Sequence, residues 1–344
     1  MLTAGARIPG HPPPRRVIAV GGGKGGVGKT VVAANLAVAL AQRGRCVTLV
    51  DADFGAANLH TLFGIDRPGP GLGGLLSGHA RTVAEVLCRT SVPGVTLLPG
   101  LGAVPGSANF NHGQKQKLLA AVRAAGGDVV VIDVGAGIAF NTLDFFLLAD
   151  QQLVVLTPQM TSIQNAYAFL KAALHRHVER SVLQVHAMTL ADEARAPAVE
   201  PVAVWLARTS REDPAAAARA RAALGRLAVR VVGNNVFHDK DRAVVHSVCR
   251  MFRDYLGAPV DVLGVLRASR RVHDSINHRR PFLLEDAMDD NSRAFHSMAE
   301  ALLSLDAEEL RPAADGEGAH QEEPDENAAP RPGGSQAPAP GAAG

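Results

Sequence analysis

The chain has little with which to build a cross-linked, metal-clustered or membrane-spanning protein. Its 344 residues include three cysteines, Cys46, Cys88 and Cys249, with no C-x-x-C pair and no Cys/His spacing suited to zinc. A disulfide framework and a cysteine metal cluster are therefore excluded, and the thiols read as buried apolar groups of a reduced, cytoplasmic protein. Long hydrophobic runs are missing too. The apolar stretches are of strand length and residues 1–16 are mostly Pro, Gly and Arg, so neither a secretory leader nor a spanning helix is expected. No sign of charge dominates: the net charge is +2, with 20% charged and 47% hydrophobic residues. That is the composition of an ordinary globular chain, long enough to bury a large core.

The near-neutral total hides an asymmetry. From residue 307 onward eight acids face two arginines, a tail of −6, which leaves +8 for residues 1–306. A basic body with an acidic tail suits an anionic partner such as DNA or a membrane surface.

What is present in abundance is glycine at one place. Residues 17–30 read Val-Ile-Ala-Val-Gly-Gly-Gly-Lys-Gly-Gly-Val-Gly-Lys-Thr, and Gly23, Gly28, Lys29 and Thr30 satisfy G-x-x-x-x-G-K-[ST]. Such a loop turns its backbone N–H groups inward around a phosphate, which side chains at the glycine positions would obstruct. The flanks have the required form: Arg16 to Val20 is a strand-type run and Thr30 to Gln42 has helical character. The helix N-terminus then points its unpaired N–H groups at the anion. Lys29 is placed to meet the β- and γ-phosphates and Thr30 to coordinate Mg²⁺. The loop's other members, Gly25, Gly26 and Val27, complete the cradle. Lys24 is a second lysine that phosphate binding within one subunit does not need; it is either a solvated charge or a group aimed outside its own loop.

Two acids follow the next strand, Cys46 to Val50. Asp51 and Asp53 are one residue apart and project to the same side of an extended segment. They either flank the phosphates and metal or cap the turn. Val129-Val130-Val131-Ile132-Asp133 is a β-branched run of the type buried on both faces of a parallel sheet, and Asp133 at its tip can hold Mg²⁺ through water. Gly135-Ala136-Gly137 lets the backbone pass close to a γ-phosphate and report its presence.

Further strands are expected at 95–98, 153–156, 227–232 and 260–265, and helices at 82–87, 114–125, 161–176, 241–256 and 291–305. Thr161 or Ser162 is the expected N-cap of its helix. Residues 64–80 read as a Gly-rich surface connection, and Lys115, Lys117 and Arg123 as a solvated basic face. Asn234-Asn235 ends a strand and either reads an adenine edge or caps the turn. Arg267, Arg270, Arg271, Arg279 and Arg280 lie in one stretch with a single acid, Asp274. They form either an anion-binding patch or a solvated face, and no aromatics interleave them to stack on single-stranded bases. Three regions follow: a disordered leader at 1–15, a body at 16–306 with a helical insertion at about 178–226, and a disordered acidic tail at 307–344.

Lys24-Gly25-Gly26-Val27-Gly28-Lys29-Thr30 followed by Asp51-Ala52-Asp53 resembles the MinD/ParA family of P-loop ATPases, marked by a deviant Walker A loop with a second, early lysine. Ala57-Asn58-Leu59, Asp133-Val-Gly-Ala-Gly137, Thr157-Pro158 with Thr161-Ser162-Ile163, and Asn234-Asn235-Val236 are similar to the FlhG/FleN (YlxH-like) subgroup, which regulates flagellar number and placement. The resemblance covers residues 15–306. It implies a doubly wound, mostly parallel sheet of about seven or eight strands flanked by helices. It also implies an ATP- and Mg²⁺-dependent homodimer that hydrolyses slowly and acts as a positioning switch, in the cytoplasm or peripherally at membrane or nucleoid. A flagellar assembly GTPase is the implied protein partner. By the same resemblance Lys24 reaches the nucleotide of a second subunit, Asp53 orients the attacking water, Asp51 is its switch-region neighbour and, with Thr30 and Asp133, a candidate for the metal site, and Asn234 meets adenine. An ATP-dependent synthetase on the same fold and a weakly hydrolysing scaffold are the alternatives. Cysteine spacing argues against an iron–sulfur carrier. A tyrosine kinase of this superfamily would carry a tyrosine cluster near its C-terminus, and only Tyr167 and Tyr255 exist.

Overall fold

The structure, a computed structural model, describes residues 16–55, 57–101, 110–182, 202–285 and 289–309. The expected leader, residues 183–201 of the expected insertion and the tail beyond 309 lie outside the described residues. Backbone contacts divide the chain into Met1–Leu303, which holds the whole sheet, and Ser304–Gly344, whose described part, 304–309, is helical.

The elements run β1 (Arg16–Gly22), α1 (Lys29–Gln42), β2 (Val47–Ala52), α2 (Gly71–Ser77), β3 (Cys88–Arg89), β4 (Val95–Leu98), α3 (His112–Arg123) and β5 (Val129–Ala136). They continue with α4 (Phe140–Phe146), β6 (Gln151–Leu156), α5 (Met160–Val182), α6 (Val202–Glu212), α7 (Pro214–Gly225), β7 (Val229–Val236), α8 (Asp239–Leu256), β8 (Val260–Arg267), α9 (Arg270–Asn277) and α10 (Asp290–Glu309). Short 3-10 turns lie at Leu59–Phe63, Val83–Val86 and Phe282–Leu284. The eight strands form one sheet in the order β3-β4-β2-β5-β1-β6-β7-β8. Every neighbouring pair is parallel except β3 with β4.

Parallel strands are buried on both faces, so their residues divide alternately between two cores. Along β1, Val17 and Ala19 face a core built with α3, α4, α5, α7 and α8, while Ile18 and Val20 face one built with α1 and α10. The chain crosses from β1 to β2 on one side of β1 and later from β5 to β6 on the other, so the strand order reverses around β1 and a crevice opens at its carboxyl end, where such folds bind ligands. The loop at residues 22–30 emerges there. No helix among the described residues is long and apolar enough to cross a membrane.

The expected strands and most expected helices are present. The differences have local causes. Within the Gly-rich 64–80 stretch, α2 buries Leu72 and Leu75; Gly71, at φ +50, brings the backbone onto Pro99, where Leu72 N–H donates to the Pro99 carbonyl at 2.8 Å. Thr82 to Leu87 holds only one 3-10 turn. The basic face of α3 is solvated only in part: Lys117 and Arg123 are exposed, Lys117 Nζ donating to the Leu75 carbonyl, while Lys115 is buried against Asp144. Helix α5 starts at Met160 and runs to Val182, so Thr161 and Ser162 lie inside its first turn; the Ser162 hydroxyl accepts the Thr157 N–H at 3.0 Å rather than capping. Asn234 and Asn235 fall within β7. Cys46 is exposed and Cys88 half-buried, and only Cys249 is the buried thiol expected of all three.

Candidate functional site

The loop between β1 and α1 takes its shape from glycines that nothing else could replace. A Cβ at Gly23 would lie 1.9 Å from the Asn165 carbonyl oxygen of α5. Gly28 is the N-cap of α1 at φ 97, ψ 21, a left-handed conformation, and a Cβ there would lie 2.3 Å from Asn234 Nδ2. The chain therefore turns in the space between α5 and β7 and presents the first N–H groups of α1 to the crevice. Gly25 and Gly26 are exposed above it, and Val27 is buried beneath.

Lys29, at the first helical position, is 7% exposed, and its ammonium donates to the Lys24 carbonyl at 3.2 Å. Burial lowers its pKa, opposed by the charges of Asp133 and then Asp53. A desolvated ammonium curled over its own loop is poised for an anion with several acceptor oxygens. Lys24 is exposed and reaches sideways, donating to Thr161 Oγ1 at 3.1 Å.

The acids stand at adjacent strand tips. In the β2/β5 register Asp51 is the direct partner of Asp133, which brings two carboxylates 82 residues apart in sequence to one edge. Burial pushes the Asp133 carboxyl up to about 8, helped by the Asp51 charge and opposed by the Thr30 hydroxyl bond and by Lys29. Its Oδ1 is buried with no hydrogen-bond partner among the described residues. Burial likewise raises Asp51 to about 7, although its two oxygens accept the N–H groups of Asp53 (3.2 Å) and Leu59 (3.1 Å). Asp51 thus ties down the loop that follows β2. Asp53 is half-buried, its Oδ1 accepting Gly55 N–H at 3.3 Å. Gly135 passes so close that a Cβ would sit 3.0 Å from Asp53 Oδ1.

Beside the loop is a cleft of about 300 Å³, lined by Val27, Val31, Asn234 and Thr157 on one side and by Ser269 and Val272 on the other. Asn234 Nδ2 donates to the Val27 carbonyl at 2.8 Å, tying β7 to the loop. Asn235 adopts φ 57. The far wall is α9 and the turn before it, a segment the sequence presented only as an arginine-rich stretch. Its alternation of charge and apolar residues, with Val272 and Ile276 one turn apart, was the available signal. The arginines themselves scatter. Arg267 pairs with Asp239 at 3.0 Å and Asp290 at 3.8 Å, and Arg279 with Asp66 at 2.7 Å, while Arg270, Arg271 and Arg280 are exposed.

Among the described residues no three His, Cys, Asp or Glu side chains are disposed to hold a metal ion by themselves. The donors available are hard oxygens: the Thr30 hydroxyl and the Asp133 carboxylate with its unpartnered buried oxygen. That set fits a small oxygen-seeking cation whose coordination is completed by phosphate and water, and not a soft one.

Residues 18–282 match the family described as the CobQ/CobB/MinD/ParA nucleotide binding domain. Over 166 residues the chain is 37% identical to the antiactivator FleN of Pseudomonas aeruginosa, covering 48% of this chain and 58% of FleN. Over 163 residues it is 34% identical to the flagellum site-determining protein YlxH of Helicobacter pylori, covering 45% of this chain and 53% of YlxH. The chain thus spans little more than half the length of these curated relatives. In fold it is similar to the cell division ATPase MinD of Pyrococcus furiosus, with a TM-score of 0.59 at 23% identity over 85% of this chain and 99% of that one. It is similar also to the septum site-determining protein MinD of Pyrococcus horikoshii, complexed with Mg-ADP, with a TM-score of 0.58 at 20% identity over 86% of this chain and 99% of that one.

Proposed function

The chain belongs to the CobQ/CobB/MinD/ParA nucleotide-binding family, and from that premise we propose that it is an ATP-hydrolysing, dimerising switch that positions or counts a cellular structure. The flagellar role named for YlxH suggests which structure. The observation that carries this reading is the meeting, at one crevice, of a phosphate cradle, the unpartnered Asp133 oxygen beside Thr30, and an exposed second lysine.

In this reading the N–H groups of 23–30 and the Lys29 ammonium hold the β- and γ-phosphates, Lys29 exchanging its bond to the Lys24 carbonyl for phosphate oxygens. Thr30 and Asp133 would hold Mg²⁺, with Asp51 at the adjacent strand tip keeping the following loop in place; the cation, when bound, would neutralise phosphate charge. Asp53, held beside the Gly135 backbone, accepts a hydrogen bond from the attacking water and orients it in line with the γ-phosphorus; the products are ADP and inorganic phosphate. Asn234 positions the adenine end in the cleft. Lys24 leaves Thr161 and crosses to the nucleotide of a second copy. Exposed Arg270, Arg271 and Arg280 offer an anionic surface, DNA or lipid, a place to dock, and a flagellar GTPase is the proposed protein partner.

The test is the protein's mass in solution with Mg²⁺ and ATP, in an Asp53→Ala background that slows turnover, and again with Lys24→Ala. Dimers that form with ATP and vanish with Lys24→Ala support the switch. A protein that binds ATP and stays monomeric refutes it and favours a metabolic or scaffold role.

A further inference from the structure

Away from the crevice, three helices meet at a buried carboxylate that plays no part in the nucleotide site. Asp144 of α4 is 2% exposed. Arg176 of α5 grips it with both arms of its guanidinium, Nε to Oδ1 at 2.5 Å and Nη2 to Oδ2 at 2.8 Å. Lys115 of α3 adds a contact at 2.7 Å, and Arg180, one turn beyond Arg176, another at 3.2 Å. The Arg176 guanidinium also lies 4.4 Å from the ring centroid of Phe140, at the start of α4. Burial alone would raise the Asp144 carboxyl, yet the bonds and charge of Arg176, then Lys115, hold it below the usual carboxylate range. It stays ionised.

Such a cluster is a poor source of stability, because desolvating several charges cancels most of their attraction and an apolar set of similar volume would serve as well. What it supplies is direction. A bidentate fork and a stacked ring together fix both the rotation of α4 about its axis and its distance from α5, which leucines would leave free to slide. Only three residues, 137–139, separate α4 from the end of β5, and the Gly135 backbone just upstream lies against Asp53. Gly137, at φ +99, is the pivot between them. Wherever α4 is held, the segment over Asp53 is held with it.

We propose that Asp144, gripped by Arg176, Lys115 and Arg180, is a positioning device that clamps α4 and thereby seats the Gly135–Ile138 loop over Asp53, setting the rate of hydrolysis and not the affinity for nucleotide. The proposal rests on the ATPase reading above. Lys115, Asp144, Arg176 and Arg180 are positioning residues that touch neither substrate nor metal.

The test uses the full chain with Arg176→Lys, which keeps the charge but loses the fork and the stacking, and the apolar set Lys115→Met, Asp144→Leu and Arg176→Met. For each, phosphate release is measured across ATP concentrations, together with hydrogen exchange of the peptide covering 134–140 without nucleotide. The apolar set should unfold near the wild-type midpoint. In both variants kcat should fall by about tenfold while KM stays within about twofold, the signature of an interaction felt only in the transition state, and exchange at 134–140 should quicken. Wild-type kcat and exchange in a folded variant overturn the proposal, as does a rise in KM with kcat unchanged. Should the apolar set not fold, Arg176→Lys alone decides. Should wild-type protein release no phosphate, the ATPase reading fails and exchange decides the clamp: faster exchange upholds it and unchanged exchange removes it.

Discussion

Gly28 and Asn234 come from opposite halves of the site, and their coupling can be calculated before it is measured. At φ 97 an alanine in place of Gly28 bears left-handed strain of about 1–2 kcal/mol. Its Cβ would also arrive 2.3 Å from Asn234 Nδ2, the end of a side chain that can swing away, but only by releasing the Val27 carbonyl. That bond contributes about 1 kcal/mol. Gly28→Ala should therefore cost about 2–3 kcal/mol in all, and Asn234→Ala about 1 kcal/mol for the bond alone. In the double variant the bond is already gone and the clash is absent. Its cost should equal that of Gly28→Ala, about 1 kcal/mol less than the two single effects taken together. Urea midpoints of the four proteins without nucleotide give the cycle. Additivity within about 0.5 kcal/mol would show that Asn234 does not brace the loop.

Asp144 makes a signed prediction for acid. Its folded pKa is depressed, so it contributes stability that is present above the ordinary value of 3.8 and is lost as the pH falls below it toward the folded value. The stability gap between wild type and Asp144→Asn should be widest near neutrality and narrow below about pH 4; a gap independent of pH would mean the carboxylate is not charged in place. A maleimide at pH 7.5 should modify exposed Cys46 in the native protein and spare Cys249, whose thiol burial pushes up to about 12; rapid native labelling of Cys249 would contradict the packing of α8. Phe169, fully buried, stands edge-on to Phe146 with ring centroids 4.8 Å apart, beneath the end of β1. Phe169→Ala should cost about 3–5 kcal/mol and weaken nucleotide binding, since Gly21 rests on both rings; a loss under about 1 kcal/mol by denaturant titration would argue that the core collapses around the gap.

The glycine loop before α1 was legible because its pattern is contiguous: glycines, lysine and hydroxyl lie within fourteen residues between a strand and a helix. The buried place of Asp133 was legible because a β-branched run that ends in an acid means a strand covered on both faces. The arginine stretch at 267–280 was legible only in part, for the opposite reason: Arg270, Arg271 and Arg280 are exposed, while Arg267 and Arg279 pair with acids. A count of charges says nothing of where the partners lie, and Asp239, Asp290 and Asp66 come from other elements. On α3 the expected solvated face holds for Lys117 and Arg123 but not for Lys115, which Asp144 takes inside, since helical periodicity locates a face but not what covers it. Pairing as short as that of β3 with β4 leaves almost no pattern in two residues.

The sequence by itself determined the fold class, the glycine loop that opens α1 and the acids at the neighbouring strand tips, because these follow from local periodicity, glycine geometry and short spacings that no neighbour can override. Only the tertiary structure decided that Asp51 spends its oxygens on the loop after β2, that Asn234 braces Val27 and that α9 walls the cleft. Only it brought Lys115, Arg176 and Arg180 to Asp144. Those residues are separated by tens of positions, and a contact between them depends on which strands lie side by side. That order is set by burying two faces of one sheet, a requirement of the whole chain that no segment of it expresses alone.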